Sequence, residues 1–144
     1  MAISYFTKNT TLPKQFKKRL IKQWIKDIIH GFGKTTGAIN YIFCDEDTII
    51  AINRQYLQHD YYTDILTFDD TKDNVLAGDL YISLETVKSN SIKYKTNFLF
   101  ELYRVMIHGI FHLIGINDKT KKERKHMTSE ENKALKMLQN GLEK

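Results

Sequence analysis

This sequence has only one cysteine and one proline in 144 residues, and it lacks long apolar runs. It therefore does not fit a disulfide-bonded, fibrous or membrane-spanning protein. The single cysteine, Cys44, excludes a disulfide framework and a cysteine-based zinc finger, and it fits a reducing compartment. One proline and seven glycines exclude collagen-like and linker-type chains. No apolar run approaches the roughly 20 residues of a membrane span. The first residues also lack the basic and then apolar order of a signal peptide, so we expect a cytoplasmic protein without a membrane partner.

The composition is that of a globular protein, with 42% hydrophobic and 27% charged residues. No repeat or linker divides the chain, so we expect a single domain over residues 1–144. The 22 lysines and arginines exceed the 17 acidic residues and give a net charge of +5. This excess of positive charge favours a polyanionic partner.

Hydrophobic periodicity predicts both helices and strands along the chain. The strongest pattern covers Phe98–Ile114, which is apolar on nearly every side and therefore predicts a buried helix. The other predicted helices cover residues 13–31, 45–57, 84–94 and 121–142, and the predicted strands cover residues 3–6, 37–44, 65–68 and 75–83. Since two strands are consecutive in mid-chain and the last elements are helices, we expect an α+β fold with a small mixed β-sheet of about four strands.

The chemistry is concentrated where the buried helix ends. His108 and His112 are four residues apart, which places both imidazoles on one helix face, where they can bind one metal ion. Gly115 follows at a position suited to a left-handed turn that returns the chain toward this face. Asp118 is then placed to supply a carboxylate as a third ligand. Two histidines, a carboxylate and an open position are typical of a catalytic metal site.

This stretch resembles the signature of the YbeY family, the bacterial zinc-dependent single-strand endoribonucleases that mature ribosomal RNA. The family motif, His-Gly-x-x-His-x-x-Gly-x-Asp-His, is matched at His108, Gly109, His112 and Gly115. Similar blocks occur earlier and later, in order, over residues 37–131, including 53–56, 63–68 and 78–80. The resemblance implies a zincin-like metal helix, one Zn²⁺ per chain, His108 and His112 as catalytic residues, and single-stranded ribosomal RNA and the small ribosomal subunit as partners.

Two departures from the family pattern affect the site. Asn117 and Asp118 replace the family's aspartate and third histidine. We favour Asp118 over His126 as the third ligand, and a carboxylate there leaves manganese or magnesium as alternatives to zinc. Leu57 stands where the family has an arginine thought to hold RNA phosphate, so Arg54 and Arg104 are the substitute substrate-binding candidates. The simpler interpretation of Arg104 is an ion pair, for example with Glu101.

Three functions are weighed from these residues. The leading one is a metal-dependent endoribonuclease, and the second is an RNA-binding ribosome-assembly factor with a structural metal. A metallopeptidase is disfavoured because Gly109 replaces the glutamate of His-Glu-x-x-His, which leaves Glu85 or Asp79 as weak candidate bases. The residues expected to shape the site are Thr63, Asp64 and Asp79, and those considered for RNA contact are Tyr61, Tyr62 and two lysine-rich runs, at residues 14–22 and 119–125.

Overall fold

The computed structural model describes residues 3–57 and 63–142, which form a four-stranded sheet and five helices. The elements in chain order are β1 (Ile3–Lys8), α1 (Lys18–Gly31), β2 (Thr35–Cys44), α2 (Glu46–Leu57), β3 (Ile65–Asp69), β4 (Val75–Ser83), α3 (Leu84–Lys93), α4 (Phe98–Ile114) and α5 (Lys121–Leu142). The predicted α+β class with a small mixed sheet is confirmed. Residues 58–62, which include Tyr61 and Tyr62 considered above for RNA contact, lie outside the described residues.

The sheet has the strand order β1-β2-β4-β3. β2 pairs in parallel with both β1 and β4, and β3 runs antiparallel to β4 at one edge. The two strands that are consecutive in mid-chain therefore form an antiparallel pair, and the parallel pairs make the sheet mixed. Parallel neighbours require a crossover connection, which α1 and α2 provide.

The two faces of the sheet differ because side chains alternate along each strand. Leu80 and Ile82 of β4 belong to the main core beneath α4, whereas Tyr81 packs with Phe68 on the opposite face, below α2. α4 passes very close to the sheet: a Cβ at Gly109 would collide with the side chains of Leu80 and Ile65. Glycine at this position therefore allows the helix that carries His108 and His112 to lie directly on the sheet.

The first helix begins later than the sequence predicts, at Lys18 and not at residue 13. The segment before it makes a turn, in which the N–H of Phe16 donates to the Pro13 carbonyl at 3.1 Å. Phe16 is buried against the rings of Tyr5 and Phe43, at centroid distances of 5.3 and 5.8 Å. This aromatic packing is tertiary, so periodicity alone cannot distinguish it from a first helical turn.

Caps fix the ends of the helix that carries the histidines. The Asn97 side chain accepts hydrogen bonds from the N–H groups of Leu99 and Phe100 at the start of α4. Gly115 ends the helix in the left-handed conformation, with φ of 111°, as the sequence predicts. Within the described part of the chain, none of the helices has the length and apolar character needed to cross a membrane.

Candidate metal centre

Three side chains converge at the C-terminal end of α4. The Nε2 atoms of His108 and His112 lie 2.9 Å apart, and Asp118 Oδ2 lies 3.3 Å from the first and 3.4 Å from the second. No other group of three potential metal-ligating side chains comes together among the described residues. The structure thus places side by side the three residues that the sequence singles out as a metal site.

The spacing of these atoms fits a small divalent ion. Bonds of about 2.0–2.1 Å at tetrahedral angles separate neighbouring ligand atoms by about 3.3–3.4 Å. Both distances from Asp118 have this value, and the separation of the two histidine nitrogens is shorter by a few tenths of an ångström. Two nitrogens and one carboxylate oxygen form an open triangle that leaves a fourth position for water or substrate.

Local sequence explains the convergence. One helical turn separates His108 from His112, so their rings stand one above the other, with centroids 4.5 Å apart. Beyond them, the N–H groups of Gly115 and Ile116 both donate to the Phe111 carbonyl, at 3.1 and 2.9 Å. This tight turn reverses the chain so that Asp118 returns to the histidines.

His126, the rival third ligand, is exposed on α5 and does not belong to the group of three. The geometry therefore favours Asp118, because its carboxylate already lies beside both rings. That these three residues bind a metal remains a prediction, which the function proposed below takes up.

A buried carboxylate, that of Glu131, contacts the Nδ1 atom of His108, the ring nitrogen that does not face His112. Glu131 Oε2 lies 2.6 Å from His108 Nδ1, and Arg104 Nη1 donates to Glu131 Oε1 at 2.8 Å. A carboxylate on Nδ1 fixes the tautomer of the ring and directs Nε2 toward a metal, as is usual for histidine ligands. Arg104 forms an ion pair with Glu131 and not with Glu101, and its Nη2 donates to Asn132 Oδ1 at 2.8 Å. A substrate-binding role for Arg104 stays a prediction.

The electrostatic surroundings of the two histidines differ. Burial by itself lowers the pKa of His108, but nearby carboxylates, first that of Glu131, outweigh burial and raise this pKa above its ordinary value. Burial and the adjacent His108 lower the pKa of His112. The effect of His108 on His112 follows from their spacing, because two imidazoles with nitrogens 2.9 Å apart cannot readily both carry positive charge.

A cavity of about 450 Å³ adjoins His108 and Asp118. Its walls include Asp64, Glu101, Arg104, His108 and Asp118. Burial raises the pKa of the carboxyl groups of Asp64 and Glu101. The cavity therefore places ionisable groups and two of the candidate ligands around a space that a small group of a substrate can enter.

Other residues singled out in the sequence lie elsewhere. Asp79 faces the α2 side of the sheet, where its Oδ1 accepts a hydrogen bond from Asn40, so the expectation that it shapes the site is wrong. Glu85 accepts a hydrogen bond from the N–H of Glu46 at the start of α2. Arg54 is exposed on α2, on the sheet face opposite α4, and its contact with RNA stays a prediction.

Glu131 is the residue whose role sequence reasoning missed. Nothing in the local spacing of Glu131 identifies it as a partner of His108, which lies 23 positions earlier. A signal was present, because Glu131 falls in the buried stripe of α5 together with Met127, Leu135 and Leu138. An acidic residue in an apolar stripe requires a buried partner, and a histidine or arginine on the facing helix satisfies that requirement.

Comparison with known proteins assigns the chain to a family. The family model described as "Endoribonuclease YbeY" matches residues 3–139. Proteins called Endoribonuclease YbeY are 51% identical in Parabacteroides distasonis, over 96% of both chains, and 54% identical in Bacteroides fragilis, over 95% of this chain and 98% of the relative. A solution structure from Thermotoga maritima has a TM-score of 0.70 and 26% identity, and it covers 98% of this chain and 91% of that one. On this evidence, together with the histidine helix and its returning aspartate, the chain belongs to the YbeY family of endoribonucleases.

Proposed function

We propose that this protein is a zinc-dependent, single-strand-specific endoribonuclease that acts in the cytoplasm on ribosomal RNA during maturation of the small ribosomal subunit. Residues 1–144 form one hydrolase domain in this proposal, with one Zn²⁺ per chain. The observation that carries it is the convergence of His108, His112 and Asp118, within 2.9–3.4 Å, beside the cavity. The names of the relatives support RNA as the substrate.

The proposed roles follow from the contacts of each residue. His108, His112 and Asp118 hold the ion, and Glu131 keeps the proton of His108 on Nδ1, so that Nε2 has a lone pair for the metal. A divalent ion bound here supplies Lewis-acid chemistry, lowering the pKa of a coordinated water toward about 7 and neutralising charge on phosphoryl oxygens. Arg104 acts through Glu131, because its guanidinium holds the other carboxylate oxygen.

Zinc is the proposed ion because two of the three ligand atoms are imidazole nitrogens. Imidazole suits zinc, whereas magnesium and manganese prefer sites made of carboxylate, carbonyl and water oxygens. Asp118 in place of a histidine lowers the net charge of the loaded site by one unit. We therefore expect a coordinated water slightly less acidic than at a site with three neutral histidines.

The packing of α4 argues against a peptidase of the His-Glu-x-x-His type. The general base of such enzymes occupies position 109, and here that position points into the sheet, against Leu80 and Ile65. A glutamate side chain has no room there. The second candidate, an RNA-binding assembly factor with a structural metal, is favoured by Leu57, which replaces the family arginine.

The metal assignment is tested by elemental analysis of protein purified without an affinity tag. We expect about one zinc per chain, with loss of the metal in Asp118→Ala and retention in the matched control His126→Ala, which changes an exposed residue on α5. Zinc retained in Asp118→Ala and lost in His126→Ala would reverse the assignment of the third ligand. Circular dichroism of each variant shows that loss of metal is not loss of fold.

The reaction is tested with ribosomal RNA fragments in single-stranded and duplex form. We expect cleavage of the single strand only, abolished by chelation and by His112→Ala, and restored to the chelated protein by zinc. Tight RNA binding without cleavage at any metal concentration would instead support the assembly factor. Cleavage that survives both treatments would point to a contaminating nuclease and contradict the proposal.

A further inference from the structure

A series of shallow depressions runs along α5 from the metal cavity. Arg124 and Thr128 line the cavity itself, and both also line a depression shared with Lys121 and Lys125. Thr128 and Lys125 in turn line a further depression that continues to Lys133 and Lys136. The shared residues make this one continuous surface, called here the α5 groove, with the principal members Lys121, Arg124, Lys125, Thr128, Lys133 and Lys136.

The α5 groove is exposed and positively charged. Its five cationic side chains all lie on the outer side of the helix. Lys133 Nζ lies 3.4 Å from a Glu130 carboxylate oxygen. Across residues 3–57 and 63–142, no ion pair involves Lys121, Lys125 or Lys136. The buried acid of this helix, Glu131, faces His108 and not the groove.

The dimensions of the groove suit an extended polyanion. Lys121 and Lys136 are separated by fifteen residues of helix, or about 22 Å at 1.5 Å per residue. A stacked strand with about 3.4 Å between phosphates places about six nucleotides over this length. Residues 121, 125, 128, 132 and 136 follow at steps of three or four and so share one helix face.

The second lysine-rich run has no such connection. A depression on α1 is lined by Lys17, Lys18 and Arg19, and it shares no residue with the metal cavity. α1 packs against the buried side of α5, where Trp24 Nε1 donates to the Ala134 carbonyl at 2.8 Å. The basic side chains of α1 thus form a separate surface, although the two runs are alike in sequence.

We propose that the α5 groove binds the phosphate backbone of single-stranded RNA and leads the strand to the metal cavity. This inference rests on the proposed function, since it concerns the substrate of the same site. Leu57 stands where the family has an arginine thought to hold RNA phosphate. The groove supplies phosphate contacts in place of that arginine. Contacts of lysines with phosphates are independent of base sequence, so the groove contributes affinity and not sequence choice.

The test compares two triple variants that lose the same charge. One variant carries Lys121→Gln, Lys125→Gln and Lys136→Gln and loses three of the five positive charges of the groove. The other carries Lys14→Gln, Lys17→Gln and Lys18→Gln and loses three positive charges of the lysine-rich run at residues 14–22. Binding of a labelled single-stranded RNA to the zinc-loaded full chain is followed by fluorescence anisotropy at several salt concentrations, and the anisotropy is read before a parallel gel detects cleavage. We expect the groove variant to bind at least about tenfold more weakly. Its log–log salt slope should fall by about 2, at 0.7 for each lost phosphate contact.

A length series and the steady-state constants give a second readout. Affinity should increase with RNA length up to about six nucleotides beyond the cleaved bond in the unsubstituted protein, and this increase should vanish in the groove variant. On long RNA the groove variant should raise KM and leave kcat unchanged, because the lost contacts are remote from the reacting bond. On a dinucleotide both constants should stay the same.

The outcomes separate this inference from the proposed function. If both triple variants lose equal affinity for the RNA, or the α1 variant loses more, the groove is not the RNA path. Continued cleavage by the unsubstituted protein would show that the proposed function still stands. Equal binding of duplex RNA, with the same change in salt slope, would overturn the assignment to single strands. Groove-dependent binding in a protein that cleaves no RNA would support the groove and contradict the nuclease.

Discussion

Substitution of Glu131 by glutamine tests the support behind the metal centre most directly. The Glu131 carboxylate lies 2.6 Å from His108 Nδ1 and 2.8 Å from Arg104 Nη1, and its side chain is 8% exposed. Glutamine keeps the size of the side chain and removes the charge that both contacts use. Loss of such an outer partner weakens metal binding by about 10- to 100-fold, or about 1.4–2.8 kcal/mol at 1.4 kcal/mol per tenfold.

The metal-free protein should also lose stability. Glu131→Gln leaves the guanidinium of Arg104 without its carboxylate in a half-buried position. Weakening of hydrogen bonds to charged groups at such sites costs about 1–3 kcal/mol of the free energy of unfolding. Urea unfolding of the metal-stripped variant measures this cost separately from the effect on zinc.

Glu130→Gln is the matched control, since the same substitution is made one residue away. Glu130 pairs with Lys133 at 3.4 Å, and the lysine side chain is 71% exposed. The Glu130 side chain is itself 16% exposed, but its partner lies mostly in solvent, so the pair contributes about 0–1 kcal/mol. The carboxylate contacts of His108 are with Glu131 and Asp118 and not with Glu130. Zinc affinity, measured by competition with a coloured chelator, should therefore be unchanged in Glu130→Gln and reduced in Glu131→Gln. Equal affinities in the two variants would refute the reasoning.

Two further predictions concern packing and reactivity. Gly109→Ala should lower the free energy of unfolding in urea by about 1–3 kcal/mol, because the added Cβ meets Leu80 and Ile65. The control Gly141→Ala, whose added Cβ meets nothing within 4 Å, should leave the free energy of unfolding unchanged or slightly raised. Equal stability of the two variants would contradict the close packing of Gly109. Burial raises the pKa of the Cys44 thiol to about 12, so a thiol reagent at neutral pH should modify the folded protein over a thousandfold more slowly than the urea-unfolded protein, in which the pKa is about 8.5. Comparable rates would contradict the burial of Cys44.

Local sequence pattern was sufficient to predict the elements that have a strong apolar stripe or a clear capping residue. α4 and α5 have the predicted limits, because periodic apolar residues define them and Gly115 stops the first of them. The helix predicted over residues 45–57 is present as α2, and Asp45 caps it by accepting a hydrogen bond from the N–H of Thr48 at 3.1 Å. These features depend on residues within a few positions of one another, which a sequence displays directly.

The predictions that are wrong concern features that depend on packing between residues distant in the sequence. The predicted start of α1 at residue 13 is wrong, because Phe16 packs against rings from β1 and β2 and does not extend the helix. Asp79 was placed at the site although strand alternation turns it to the other face of the sheet. Which face of β4 lies under α4 is set by the whole sheet and not by the strand itself.

Local sequence was enough to predict the candidate metal-binding triad, because helix spacing and a glycine turn bring His108, His112 and Asp118 together within eleven residues. The surroundings of the triad depend on tertiary packing. The contact of Glu131 with His108 joins side chains 23 positions apart on two helices. The α5 groove, likewise, is distinguished from the α1 lysines by its continuity with the cavity. Both depend on how helices pack, since local spacing fixes which face a residue occupies but not what that face meets.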